Sequence, residues 1–284
     1  MDTLQLTFYI LLAAIAYSFL GGLITKNYSQ VDRLWSVLPP VYVLIWMKDF
    51  SSNPRYVIAA VLVVLWGIRL TTNFAIKGGY AFSFKKGFYG EDYRWDVLKA
   101  KIPNPVLFEL FNLFFISGFQ LGLIYLFTLP LYYLGSQTGP LTSVDYILFA
   151  LHFILLAGEM TADIQQLTYY KKRSDEAEKN NRRIQLGFNT LGLWKYSRHP
   201  NYVCELGQWF VVYFYLHSRV GLHYTLAGPV VLLALFVGST IMAENITAGK
   251  YEGYIRWKKM TAPWLPLLAP LPERKNKKAF LAEK

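Results

Sequence analysis

The sequence predicts an all-α fold, a polytopic membrane helical bundle of about seven transmembrane helices, and three observations carry that prediction. Hydrophobic residues fill 54% of 284 positions, with a mean hydropathy of +0.26. Apolar runs of near-membrane length recur along the whole chain, and the 29 Lys and Arg residues gather in alternate loops. A helix needs about 20 largely apolar residues to cross the hydrocarbon layer. The runs at roughly 6–24, 34–47, 56–76, 107–134, 144–168, 201–218 and 222–243 are the candidates.

The first run lacks a basic leader and a small-residue cleavage site, so it reads as a retained span. The second and sixth runs are short, which predicts tilting, partial re-entry or burial against neighbours. Basic residues in short loops stay on the cytoplasmic side. Lys26 and Arg33, the set from Lys77 to Lys101, the set from Lys171 to Arg198 and the stretch from Lys250 to Lys284 then all fall on one side. Only Lys48, Arg55 and Arg219 fall on the other, and Arg69 sits within a span. The predicted topology has the N-terminus outside and the C-terminus cytoplasmic. An endoplasmic reticulum membrane and a bacterial inner membrane give the same pattern.

The net charge of +11 is mainly this topology signal, with attraction to anionic lipid or an anionic cofactor in addition, and it does not imply nucleic acid. The single cysteine, Cys204, excludes a disulfide framework and a cysteine-cluster zinc site, and four scattered histidines show no ligand spacing, so no metal is expected. No repeat or linker divides the chain. It reads as one integral membrane domain, 1–284, ending in a mobile polar tail, 269–284.

Ionisable groups inside membrane segments cost about 2.5–3.5 kcal/mol each on insertion scales. The ones to explain are Asp32, Arg69, Asn73, Glu159, Asp163, Glu205 and Glu244. Arg69 and Asn73, Glu159 and Asp163, and Asn201, Glu205 and Trp209 each follow a four-residue spacing, so each set shares a helix face. Hydrogen bonding between helices is the plain alternative to a functional interior. The stretch Gly192-Leu193-Trp194-Lys195-Tyr196-Ser197-Arg198-His199-Pro200-Asn201-Tyr202 is the densest in chemistry. Pro200 suits a first helical position, the following N–H groups carry the positive end of the helix dipole, and Arg198 and His199 stand just before them. That predicts an anion site at a helix mouth. Simple anchoring at the headgroup layer is the other reading.

This stretch, with Glu205, resembles the C-terminal signature of the membrane steroid 5-alpha-reductase superfamily. The segments Gln30-Val31-Asp32-Arg33-Leu34-Trp35-Ser36, Trp66-Gly67-Ile68-Arg69-Leu70-Thr71 and Glu91-Asp92-Tyr93-Arg94-Trp95 extend the resemblance to a large branch of that superfamily, over residues 28–268. It implies an enzyme that takes hydride from NADPH to reduce an activated carbon–carbon double bond in a lipid or steroid-like substrate. Residues 1–135 would form the substrate-pocket half and 144–268 the cofactor-binding half. The resemblance assigns Arg69, Asp163, Arg183, Arg198, His199, Asn201, Tyr202, Glu205 and Tyr254 to the cofactor and Trp209 to the substrate. Asp32 falls near the family's catalytic acid, and Trp66 stands where the steroid enzymes carry its tyrosine partner. An indole donates a hydrogen bond but not readily a proton, which argues against a steroid 3-ketone.

The chemistry suits these assignments. Hydride addition to an enone builds negative charge on the carbonyl oxygen, which a carboxylic acid kept protonated by an apolar site can meet. Ile241-Met242-Ala243-Glu244-Asn245 departs from the steroid enzymes and is closer to related membrane methyltransferases. S-adenosylmethionine-dependent methylation of a prenyl or phospholipid substrate is therefore the alternative, and a non-enzymatic lipid-binding membrane protein is a third. Glu91 to Trp95 reads either as a cofactor-closing loop or as an internal ion pair that caps a turn.

Overall fold

The computed structural model describes residues 1–83, 87–178, 180–265, 277, 280 and 281. Among the described residues the fold is all-α apart from one hairpin of two-residue strands. Its helices are α1 (Thr3–Thr25), α2 (Gln30–Trp35), α3 (Leu38–Phe50), α4 (Pro54–Ile76), α5 (Tyr93–Lys101), α6 (Pro105–Phe111), α7 (Gln120–Thr128), α8 (Pro130–Gly135), α9 (Ser143–Arg173), α10 (Arg182–Gln185), α11 (Pro200–Val220), α12 (Ala227–Lys250) and α13 (Gly253–Met260). Strands Phe82–Ser83 and Gly87–Phe88 pair antiparallel between α4 and α5.

Among the described residues, five helical stretches are long and apolar enough to cross a membrane: Thr3–Thr25, Pro54–Ile76, Pro105–Gly135, Ser143–Arg173 and Tyr224–Lys250. Two of the seven expected spans are not in that set. The second is split, because Pro39 and Pro40 restart the chain as α3 of only 13 residues. Asp32 accordingly lies on the separate short helix α2 rather than on a span. The sixth, α11, has 21 residues but carries Glu205, Gln208 and Arg219. The expected loop 169–200 is also shorter, since α9 runs on through Lys171, Lys172 and Arg173. Of the expected mobile tail 269–284, only 277, 280 and 281 are described, and Phe280 is buried with Tyr254 and Trp257.

Helix starts follow the sequence. Asp2 caps α1 by accepting from the Gln5 N–H at 2.7 Å, Asn53 caps α4 ahead of Pro54, and Asn104 caps α6 ahead of Pro105. Between α6 and α7, Asn112–Phe119 winds as a π-helix, with Phe111, Phe115 and Phe119 stacked at 4.9 and 5.2 Å.

The chain forms two compact units, Met1–Leu151 with Trp209–Val230, and His152–Gln208 with Val231–Lys284. In the first, Arg55 is fully buried and bonds Asp145 through Nε at 2.7 Å, and Arg219 joins the same carboxylate. Gly67, inside the Trp66-to-Thr71 motif, has a packing reason. A Cβ there would lie 2.3 Å from Pro40 Cγ and 2.7 Å from the Ser36 carbonyl oxygen, so only glycine lets α3 and α4 approach this closely. Gly67→Ala is expected to cost about 1–3 kcal/mol, read as a lower unfolding midpoint in detergent; an unchanged midpoint would refute the close contact.

In the second unit, α9 and α11 run antiparallel and pack through small residues. A Cβ at Gly158 would meet Cys204 Sγ at 3.1 Å, and one at Gly207 would meet Leu155 at 2.9 Å. Cys204 is thus a small packing residue of the helix contact.

Candidate functional site

In the first unit, two of the sequence motifs meet although 63 residues separate their key members. Trp95 donates its indole N–H to Asp32 Oδ2 at 2.8 Å. Glu91 accepts from the Tyr28 backbone N–H at 2.6 Å, and Ser29 Oγ accepts from the Asp92 N–H at 2.8 Å. Asp92 caps α5 and binds Arg94 through both carboxylate oxygens, at 2.9 and 3.0 Å. That realises the ion-pair reading of Glu91 to Trp95 and extends it, since the same loop also closes over α2. Arg33, read from sequence only as a topology charge, is buried and holds the loop by donating to the Gly79 and Gly90 carbonyls.

Asp32 is the chemically distinctive group here. Its side chain is 15% exposed, and Arg94 approaches it only at 4.0 Å. Burial pushes its carboxyl up from the ordinary range, against the opposing pull of Arg94. A carboxyl whose folded pKa is raised stabilises the fold fully below its unfolded pKa, and that contribution is lost as pH rises through the folded value. Wild-type stability is therefore expected to fall, relative to Asp32→Asn, as pH climbs from the normal carboxylate range. Paired unfolding curves between acid and neutral pH check this, and parallel curves would contradict it. The paired comparison matters because burial also raises Glu91.

Trp66 is buried and meets Trp209 edge-on at 4.9 Å, and Trp209 in turn packs on Phe127 at 4.1 Å. The structure thus brings together the expected substrate tryptophan and the expected partner of the acid. Arg69 lies about one turn beyond Trp66 on α4, and Asn73 one turn further is buried with its Oδ1 lacking a hydrogen-bond partner among the described residues.

The second unit holds the expected cofactor residues other than Arg69, which lies on α4 in the first unit. Pro200 is the first residue of α11, as its chemistry predicts. The basic pair before it, however, is engaged by the protein. Arg198 gives Nε to Glu244 Oε1 at 2.6 Å and a terminal nitrogen to Oε2 at 3.1 Å, and its other terminal nitrogen serves the Lys258 carbonyl at 2.8 Å and the Thr261 carbonyl. His199 Nε2 lies 3.1 Å from Glu244 Oε1, and Lys258 Nζ 3.1 Å from Oε2. Backbone bonds from Arg198 to Ala262 and from His199 to Pro263 fasten the same turn to the segment after α13. This differs from the expected open anion site: the buried Glu244 carboxylate draws both basic side chains inward, and they act as a scaffold. Lys258 is the member of this cluster that sequence reasoning missed; its one signal is the spacing of four from Tyr254. Burial, then the Glu244 carboxylate, pushes the Tyr254 hydroxyl up against the pull of Arg198.

Beside that scaffold, α9 and α11 present a polar seam. Glu159 Oε2 accepts from Gln208 Nε2 at 2.6 Å. Asp163 and Glu205, each buried, stand one turn along their helices toward the Pro200 end. Asn201 stacks one turn beyond Glu205, and its Oδ1 is buried with no hydrogen-bond partner among the described residues. Tyr202 stacks on His199 at 5.1 Å. Arg183 sits partly buried on α10. No trio of metal-ligating side chains occurs among the described residues.

Long apolar helices and buried ionisable groups at their ends define an integral membrane protein of the all-α class. The chain belongs to the family described as Protein of unknown function (DUF1295), which matches residues 18–261 and so includes every motif above. It is also similar to Uncharacterized protein C594.04c of Schizosaccharomyces pombe, 33% identical over 262 residues, covering 86% of this chain and 74% of that protein. No solved structure matches it.

Proposed function

We propose that this protein is an NADPH-dependent membrane reductase acting on an activated carbon–carbon double bond of a lipid or steroid-like substrate, in a seven-helix fold with its cofactor site toward the cytoplasm. The observation that carries the reading is Asp32, a carboxyl raised by burial and oriented by the Trp95 indole. Such a group suits delivery of a proton to a developing oxyanion, which a methyl transfer does not require.

Asn201 supports a dinucleotide, because its orphaned buried oxygen suits an amide or amino N–H donor. Asp163, Glu205, Arg183 and Tyr202, all of the second unit, would complete the holding set. The cofactor, when bound, supplies hydride. Arg198, His199 and Tyr254 hold the turn that presents Asn201, and Trp66 and Trp209 give the substrate an apolar wall. Asn201→Ala is expected to weaken NADPH binding by about 1–3 kcal/mol in a titration of detergent-purified protein; unchanged affinity would remove Asn201 from the site.

One observation favours the methyltransferase reading. Glu244 gathers Arg198, His199 and Lys258 around one carboxylate, the position where the resemblance departs from the steroid enzymes. Selective binding of S-adenosylmethionine would decide for it, and binding of neither cofactor would favour the non-enzymatic lipid-binding reading.

A further inference from the structure

In the first unit, the first turns of α1, the end of the Pro105–Gly135 span and the start of the Tyr224–Lys250 span border an open concavity of about 320 Å³. We infer that it is a binding site for an uncharged glycerolipid of the diacylglycerol type, with an acyl chain against Leu4, Phe8 and Leu129 and the glycerol oxygens at Gln5, Tyr133 and Tyr224. Its size lies at the lower end of the ~300–1,000 Å³ that small-molecule sites occupy, which suits part of one chain with its compact polar end.

The polar end is set by hydroxyl arithmetic. Tyr133 and Tyr224 share a hydroxyl–hydroxyl bond of 2.6 Å. Each phenol has one proton and two acceptor positions, so the pair consumes one proton and keeps the other for a ligand oxygen. The exposed Gln5 side chain adds a carboxamide at the rim. A glycerol ester or hydroxyl presents the acceptors this rim requires.

Charge argues for an uncharged occupant. No lining residue is ionisable as a carboxylate or a cation. The charged groups bonded to the first turn of α1 are both acids, Asp2 on the Gln5 N–H and Asp49 on the Thr3 hydroxyl. Asp2 already caps the positive end of α1, and no Lys or Arg lines the concavity to draw an anionic headgroup. Interfacial tyrosines commonly form belts at the headgroup layer. Belt anchoring alone requires neither a concavity nor a paired phenol holding a proton in reserve.

The test uses full-length protein in phosphatidylcholine nanodiscs carrying either a photoactivatable diacylglycerol or a photoactivatable phosphatidylglycerol, with labelled peptides mapped by mass spectrometry. The diacylglycerol probe should label the peptides holding Phe8 and Tyr224 at least threefold more than the phosphatidylglycerol probe does. Gln5→Trp, which fills the mouth from an exposed position, and the double variant Tyr133→Phe with Tyr224→Phe, which removes both phenolic protons, should each cut that labelling at least threefold at an unchanged unfolding midpoint. Equal labelling by the anionic probe, labelling spread evenly along all lipid-facing helices, or labelling indifferent to both substitutions would overturn the proposal. None of these outcomes bears on the reductase reading, which concerns other residues.

Discussion

Glu244→Ala is expected to destabilise the protein by about 3–5 kcal/mol, the range found when one member of a buried ion pair is removed. Glu244 is 4% exposed and receives two N–H donors from one edge of the Arg198 guanidinium, together with the His199 ring and Lys258. Truncation strands Arg198 among carbonyls with no counter-charge, while Lys258, 35% exposed, can turn to water. Glu244→Gln keeps the shape and loses the charge, so it should fall between. Replacing both partners, Arg198→Met with Glu244→Leu, should recover most of the loss, because the cost lies in the uncompensated charge and not in the absent bridge. Unfolding in mixed micelles measures all three variants. A loss under about 1 kcal/mol for Glu244→Ala would mean a pair behaving as a solvated surface bridge, and would return Arg198 to the list of ligand-binding groups.

Asp32→Asn should lower turnover by about 10²- to 10⁴-fold, the usual contribution of a positioned acid, while leaving cofactor affinity intact. The substitution is conservative where it matters. A carboxamide oxygen still accepts from the Trp95 indole, so orientation persists and only the transferable proton is lost. Arg94 is held bidentately by Asp92, which keeps it from neutralising Asp32 and lets burial raise the carboxyl. Steady-state rates with an enone-bearing lipid, alongside a binding titration, separate the two effects. Full activity in the variant would take Asp32 out of the mechanism.

Much of the helical framework was legible because it rests on local chemistry. Asn53-Pro54, Asn104-Pro105 and Pro200 mark helix starts that occur as the residues dictate. The split of the second expected span was written in Val37-Leu38-Pro39-Pro40, but apolar length alone does not distinguish one helix from two. The π-helix at Asn112–Phe119 left no mark, since its residues are as apolar as those of an ordinary span. Within the site, the residue types were readable and their partners were not. Asp32 and Trp95 stand 63 positions apart, and no periodicity joins them. Arg198 reads as a free cation in sequence because its counter-charge, Glu244, arrives 46 residues later. Local patterns fix what a side chain can do, and long-range packing decides what it is left free to do.

The central claim is tested most directly by titrating detergent-purified protein in parallel with NADPH, NADH and S-adenosylmethionine, with Asn201→Ala as the paired variant. The reductase account predicts selective NADPH binding that weakens in the variant. Selective S-adenosylmethionine binding, or binding of no dinucleotide by folded protein, would contradict it.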